Sequence, residues 1–261
     1  MRRQALTAGA VVLLVAVAAA GLAVAKGKPK PTIVRAGNMV LELNGDVTPH
    51  ALPRHELAPM GVWGSGKLAT LDGTHPPALE EASFDADKDA FVSVKGLAAC
   101  RIEQLKARSS KDAEAVCGDA IIGRGSATVE VAFPEQAPFD STGPMTLFNG
   151  GERNGVVTVL AHAYVNVPAP TAVVATVDVR RVSKGAYGLH VDVDVPRIAG
   201  GAGSVVAANF SLRRVYTYKG KRLSVLSGRC PDGKFQGRGT FKYSDGSLLS
   251  GGLVRPCTAK D

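Results

Sequence analysis

Aromatic side chains are scarce in this 261-residue chain, at 5% with a single Trp, so its core must rest on Val, Leu, Ile and Ala. Helical periodicity is scarce as well, which argues against the alternating strands and helices of a parallel α/β fold. Several catalytic signatures are missing outright. No Gly-x-Ser-x-Gly elbow offers an activated serine. No P-loop, no strand-to-helix Gly-x-Gly-x-x-Gly turn and no His-Glu-x-x-His pair occurs. The four cysteines show no Cys-x-x-Cys or Cys-x-x-His spacing, so a zinc site finds no support. Nothing in the residue pattern asks for a metal or a cofactor.

What is present begins with a tripartite N-terminus: Met1-Arg2-Arg3, a nearly all-apolar run from Ala5 to Leu22, and the small residues Ala23-Val24-Ala25. This is the layout of a signal peptide over residues 1–25, followed by a polar linker at 26–31 (Lys26-Gly27-Lys28-Pro29-Lys30-Pro31) and a body at 32–261. An uncleaved anchor is the alternative, because about 20 apolar residues suffice to span a bilayer. No Cys follows the run to carry a lipid, and no second stretch is long enough to span. The chain is therefore expected to be secreted or held at the cell surface, without a membrane span after cleavage. In that oxidising setting Cys100, Cys117, Cys230 and Cys257 read as two disulfides. Three pairings are open; the local one joins Cys100 to Cys117 and Cys230 to Cys257, each loop contributing ~3 kcal/mol by chain entropy.

From Thr32 onward, short β-branched runs alternate with Gly, Pro, Asn and Asp. Asn38 to Leu43 reads as a strand closed by Asn44-Gly45-Asp46. Ala78 to Phe84 and Phe91 to Val94 read as a hairpin with Asp85, Asp87, Lys88 and Asp89 in its turn. Between Cys100 and Cys117, the segment from Ser109 to Val116 opens with an N-cap serine and is expected to be the one short helical part, pinned by a disulfide. Strands then follow at Ser126 to Phe133, Met145 to Phe148, Val156 to Val167, Thr171 to Val182, Ala186 to Val195, Val205 to Tyr218, Leu223 to Leu226, Phe235 to Tyr243 and Leu248 to Val254. Asn149-Gly150, Asn154-Gly155, Lys184-Gly185, Lys219-Gly220 and Asp245-Gly246 stand between them as two-residue turns. Closely spaced strands without intervening helices predict an all-β, antiparallel β-sandwich. If it has two packed lobes, their boundary falls near 134–144, where Pro134, Pro138 and Pro144 cluster.

Charge is uneven along the chain. The formal +8 falls to +6 without Arg2 and Arg3; residues 26–179 hold 14 Lys/Arg against 18 Asp/Glu, and residues 180–261 hold 15 against five. A basic C-terminal third suits an anionic cell-wall or surface polymer, with no sign of specific nucleic-acid readout. Its densest run, Arg213, Arg214, Lys219, Lys221 and Arg222, brackets Tyr216 and Tyr218 on an expected hairpin, a mix that binds polyanions and also protects exposed strand edges. His190, Asp192 and Asp194 alternate with Val191, Val193 and Val195, so they form a polar strand face, short of ligands for a metal. Asp85, Asp87 and Asp89 have alternate spacing but lack the Gly and the final carboxylate of a calcium loop, and read as a solvated turn. His162, between Ala161 and Ala163, reads as a packed, hydrogen-bonded histidine, and Trp63 as core before stacking platform. Gly123-Arg124-Gly125-Ser126 after Cys117 echoes Gly237-Arg238-Gly239-Thr240 after Cys230, without further repeat.

His75-Pro76-Pro77-Ala78, Gly96-Leu97, Cys117 with Ala120-Ile121-Ile122-Gly123, Phe148-Asn149-Gly150, Gly200-Gly201-Ala202-Gly203 and Cys230-Pro231-Asp232-Gly233 together resemble a group of secreted β-rich proteins of actinobacterial type. The resemblance implies a shared fold and transfers no functional residue, because its motifs are Gly, Pro and Cys punctuation. The expected function is a non-enzymatic binding or structural module with a basic C-terminal face. The alternative is a polysaccharide-acting enzyme using a carboxylate pair drawn from Asp192, Asp194 and Glu130. N-terminal sequencing of the exported chain is expected to read from Lys26, and thiol titration to find no free sulfhydryl; a start at Met1 with reactive thiols contradicts both readings.

Overall fold

Alternating apolar residues give a strand one dry face and one wet face, and a chain of such strands buries the dry faces by curling them round a common interior. The computed structural model describes residues 29–166 and 169–261; the signal-peptide assignment lies outside them. In chain order the strands are β1 (Thr32–Ala36), β2 (Met39–Thr48), β3 (Ala51–Pro53), β4 (Ala58–Pro59), β5 (Gly61–Thr70), β6 (Leu79–Asp87) and β7 (Ala90–Val92). Helix α1 (Ser110–Cys117) follows, then β8 (Ile121–Val131), β9 (Phe139–Arg153), β10 (Val156–Val165), β11 (Thr171–Lys184), β12 (Tyr187–Asp194) and β13 (Gly203–Leu212). The chain ends with β14 (Val215–Tyr218), β15 (Lys221–Ser224), β16 (Leu226–Gly228), β17 (Lys234–Tyr243), β18 (Leu248–Pro256) and β19 (Thr258–Lys260).

Twelve strands form one antiparallel sheet in the order β1-β2-β5-β13-β8-β9-β10-β11-β12-β6-β17-β18. The sheet curls until its first and last strands meet. Gly251 on β18 lies so close to Val34 on β1 that a Cβ there would stand 2.6 Å from the Val34 side chain. Across the seam the Thr32 hydroxyl donates to the Gly252 carbonyl at 3.0 Å, and Arg255 donates to the Gly45 carbonyl at 2.5 Å and the Asn44 amide oxygen at 2.9 Å. The all-β antiparallel fold expected from sequence is thus present, and the walls that face each other belong to one curled sheet. Val47 on β2 shares a buried cluster with Val157 on β10 and Val179 on β11, several strands away along the sheet.

One end of the interior is filled by connections. Leu52, Met60, Val94 and Val225 are buried there with the Cys230–Cys257 disulfide, against Val157, Leu189 and Phe235 from the strand ends. The other disulfide, Cys100–Cys117, pins α1 outside the barrel. There Leu105 and Ala113 cover Phe148 and Leu160 on β9 and β10, and Ser109 caps the helix by accepting from the Asp112 amide. Two single 3₁₀ turns, Ile102–Gln104 and Gly118–Ala120, accompany α1, and a third lies apart from it at Ala199–Gly201.

Four local expectations are corrected. Asn44-Gly45-Asp46 does not close a strand but runs inside β2, because Gly45 serves a close approach: a Cβ there would meet the Trp63 carbonyl at 2.9 Å. The pair Asn149-Gly150 is not a hairpin turn; it lies within β9 where the register with β10 shifts, a β-bulge. Val205 to Tyr218 is interrupted at Arg213 and Arg214, where the chain leaves the sheet for the β14–β15 hairpin. Finally, β6 and β7 are no hairpin. Strand β6 continues through Asp85 and Asp87 and pairs with β12 and β17, while β7 pairs with β16 beneath the barrel end.

Because the Cys230–Cys257 bridge sits in the plug, replacing both cysteines with Ser should lower global stability by ~3–4 kcal/mol, as expected for a loop of this length. Denaturant unfolding checks this, and an unchanged midpoint would contradict the plug's structural role.

Candidate functional site

The basic hairpin is held by backbone pairing of Tyr216 with Leu223 and Tyr218 with Lys221, and by two tyrosine anchors. The Tyr216 hydroxyl donates to the Lys95 carbonyl at 3.0 Å. The Tyr218 ring lies against Gly96, where a Cβ would come within 2.2 Å of the ring and where the backbone has φ +77°. Only glycine satisfies both demands. The tyrosines are therefore half-buried struts, and the cations around them point outward: Arg213, Lys219, Lys221 and Arg222 are exposed. None of these four makes an ion pair among the described residues. Lys219 lies 5.5 Å from the Tyr218 ring centre. Arg214 differs, being half-buried with its Nε enclosed.

A second constellation lies on the outer face of β11, β12, β6 and β17. Asp85, opposite both His190 and Arg238 in register, is buried with a side chain only 7% exposed. His190 Nδ1 meets Asp85 Oδ1 at 2.5 Å, and its Nε2 meets Asp192 Oδ1 at 3.0 Å. Carboxylates only accept, so both contacts are made at once only by an imidazolium. Arg238 donates to the other Asp85 oxygen through Nε at 2.8 Å and Nη2 at 2.7 Å, and Arg180 closes the far end on Asp192. Burial pushes the Asp85 carboxyl up, but hydrogen bonds and charge from His190 and Arg238 outweigh it and hold the group below its usual range. Asp192 is lowered likewise, burial being outweighed by Arg180 and His190. The array borders an open groove of about 570 Å³ lined by Ser83, Lys184, Thr240 and Ser250.

These acids are not a solvated turn. Asp85, Asp87 and Asp89 are all buried because β6 is inserted between β12 and β17. Asp87 accepts from the Asp89 and Gln236 amides, and burial raises its carboxyl above the ordinary value. Asp89 pairs with Arg229 at 2.7 Å. Among the described residues no group of His, Cys, Asp or Glu is placed to hold a metal ion. Part of the C-terminal basic excess is thereby neutralised internally, since Arg229, Arg238 and Lys242 are engaged by Asp89, Asp85 and Glu81.

Of the carboxylates considered for glycoside chemistry, Glu130 does not join Asp192 and Asp194. Glu130 stands on β8, four strand positions from β12, ~19 Å along the sheet, and is engaged by His75 at 2.7 Å. Asp194 is exposed at the end of β12. His162 is fully buried under α1, where its Nε2 meets the Arg108 carbonyl at 3.0 Å and burial lowers its affinity for a proton. Trp63 is half-buried on β5. The Gly-Arg-Gly echo has a local counterpart, for each Arg points outward to a carboxylate: Arg124 to Glu114, Arg238 to Asp85. Sequence reasoning missed Asp85, Arg180, Lys184 and Arg238 as neighbours of His190. No signal in the chain announces them, since the pairing of β6 with β12 spans about a hundred residues. No protein-family model, no curated protein and no solved structure matches the chain.

Asp85 binds fewer protons in the folded than in the unfolded chain, so its contribution to stability is full above the ordinary carboxyl range and is lost as pH falls through its lowered value. Asp85→Asn should cost ~2–3 kcal/mol at pH 7, with two charge-assisted partners weakened, and should flatten the fall in stability toward acid pH. Urea midpoints between pH 3 and 7 measure both; an unaltered acid limb contradicts the assignment.

Proposed function

We propose that the chain is an exported, non-enzymatic module that binds an anionic polymer at the cell surface through the β14–β15 hairpin. Its membership in the group of secreted β-rich proteins it resembles belongs to the same reading. The observation that supports it is a cluster of unpaired cations. Arg180, Arg229, Arg238 and Lys242 are engaged by carboxylates, whereas Arg213, Lys219, Lys221 and Arg222, gathered on and beside one hairpin, are exposed and without an acid partner among the described residues.

Exposed cations on a stiff support suit a flexible polyanion. Each contact releases counterions, so affinity depends on salt more than on the sequence or stereochemistry of the polymer. Tyr216 and Tyr218 hold the hairpin in place and limit the ordering cost on binding. The polar groove beside His190 offers only Lys184 as a cation without an acid partner among the described residues, because Arg180 and Arg238 are engaged by Asp192 and Asp85.

Reversing Arg213, Lys219, Lys221 and Arg222 to Glu should weaken binding of linear polyphosphate at least tenfold and reduce the slope of log K against log salt by about three to four. Titration at two salt concentrations tests it. Unchanged affinity, or affinity insensitive to salt, would sink the proposal.

A further inference from the structure

The antiparallel order sends every connection to one of two ends, and the two ends differ in charge. The plugged end receives segments 29–31, 49–60, 88–101, 154–155, 185–186, 213–233 and 257–261, which carry 12 Lys/Arg and four Asp/Glu, while the rest of the 88–120 connection, with α1, lies against the outer wall. The opposite end receives 37–38, 71–78, 132–138, 166, 169–170, 195–202 and 244–247, which carry one Arg and three Asp/Glu. The basic hairpin is thus one part of a wider basic end, to which Lys88, Lys95 and Arg101 come from outside the basic C-terminal third. Lys95, Arg101 and, at the tip of β9, Arg153 are exposed there and unpaired among the described residues.

The chain enters the body at this same end. The Asn44 amide donates to the Pro29 carbonyl at 3.0 Å, and Arg255 donates to the Lys30 carbonyl at 3.3 Å. Immediately upstream in sequence are Lys28 and Lys26, and then the apolar run ending at Leu22.

We propose that the plugged end is the membrane-facing end, an electrostatic footprint for an anionic lipid surface. This rests on the polyanion reading above and names its partner. A lipid surface fits better than a single polymer strand for three reasons. The free cations are spread over several connections at one end, whereas a strand needs one groove. The chain enters the body at that end, next in sequence to the Lys-containing stretch that follows the apolar run. The acidic far end is repelled by the same surface, which sets orientation as well as affinity. Each cation within a Debye length of anionic headgroups raises affinity about fivefold.

The test uses the exported chain and vesicles of phosphatidylcholine with 30% phosphatidylglycerol, read by co-sedimentation, with pure phosphatidylcholine as reference. Binding is expected only to the anionic vesicles. Lys95→Glu with Arg153→Glu, both outside the hairpin, should weaken it at least tenfold, while Glu135→Lys at the far end should leave it unchanged. Circular dichroism confirms that each variant is folded. Inorganic phosphate should compete no better than sodium chloride of equal ionic strength; specific competition would reveal a single-anion pocket and overturn the proposal. If polyphosphate binds through the hairpin but anionic vesicles do not, the membrane assignment fails and the polymer reading stands. Failure of both probes removes both, and an equal response to Glu135→Lys removes the orientation.

Discussion

A continuous antiparallel sheet that curls back on itself starts and ends every connection at one of its two rims. Twelve strands bound in one ladder, with Gly251 pressed on Val34 at the seam and Arg255 reaching to Gly45 and Asn44, make that constraint complete. The long connections therefore gather at one rim, where Leu52, Met60, Val94 and Val225 fill the opening and the Cys230–Cys257 bridge ties the filling together. The same constraint decides the electrostatics. Residues scattered from Lys30 to Lys260 share one rim because the register places them there, however distant they are in sequence.

Strand β6 is the second organising element. Its insertion between β12 and β17 brings carboxylates from the acidic part of the chain into the basic third, where Asp85 engages Arg238 and Glu81 engages Lys242. Arg180, Arg229, Arg238 and Lys242 hold the wall together, whereas the hairpin cations face solvent. Pairs on a buried carboxylate, as at Asp85 and Asp89, contribute little net stability because desolvation offsets most of the attraction, and exposed pairs such as Lys242 with Glu81 contribute little because solvent screens them. Their value here lies in register. A one-residue slip of β6 would turn Asp85 inward, away from His190 and Arg238, and turn Phe84 out of the core, so the pattern penalises every neighbouring alignment.

Much of the fold was legible in the chain. Alternation fixed the faces of β12 correctly, with Val191 and Val193 inward and His190 and Asp192 outward, and the Ser109 cap marked the helix. Local cysteine pairing was among the open choices and is the one formed. The misreadings share one physical origin. Asn-Gly and Gly-Asp pairs serve tight turns, but glycine also serves close approach and bulges, and sequence does not distinguish these uses at Gly45 or Gly150. The Asp85, Asp87 and Asp89 cluster looked like a turn because its burial depends on two strands paired to it from far along the chain. The basic hairpin was visible as a run of cations, yet its companions Lys95, Arg101 and Arg153 were not, since only topology brings them to the same rim.

The most direct test of this account is amide hydrogen exchange of the protein with and without a saturating anionic partner. The account predicts added protection in the hairpin 213–224 and the adjoining segment 93–101, with the far-rim segments 71–78, 132–138 and 195–202 unaltered. Protection concentrated at the far rim, or in the groove beside His190, would contradict it.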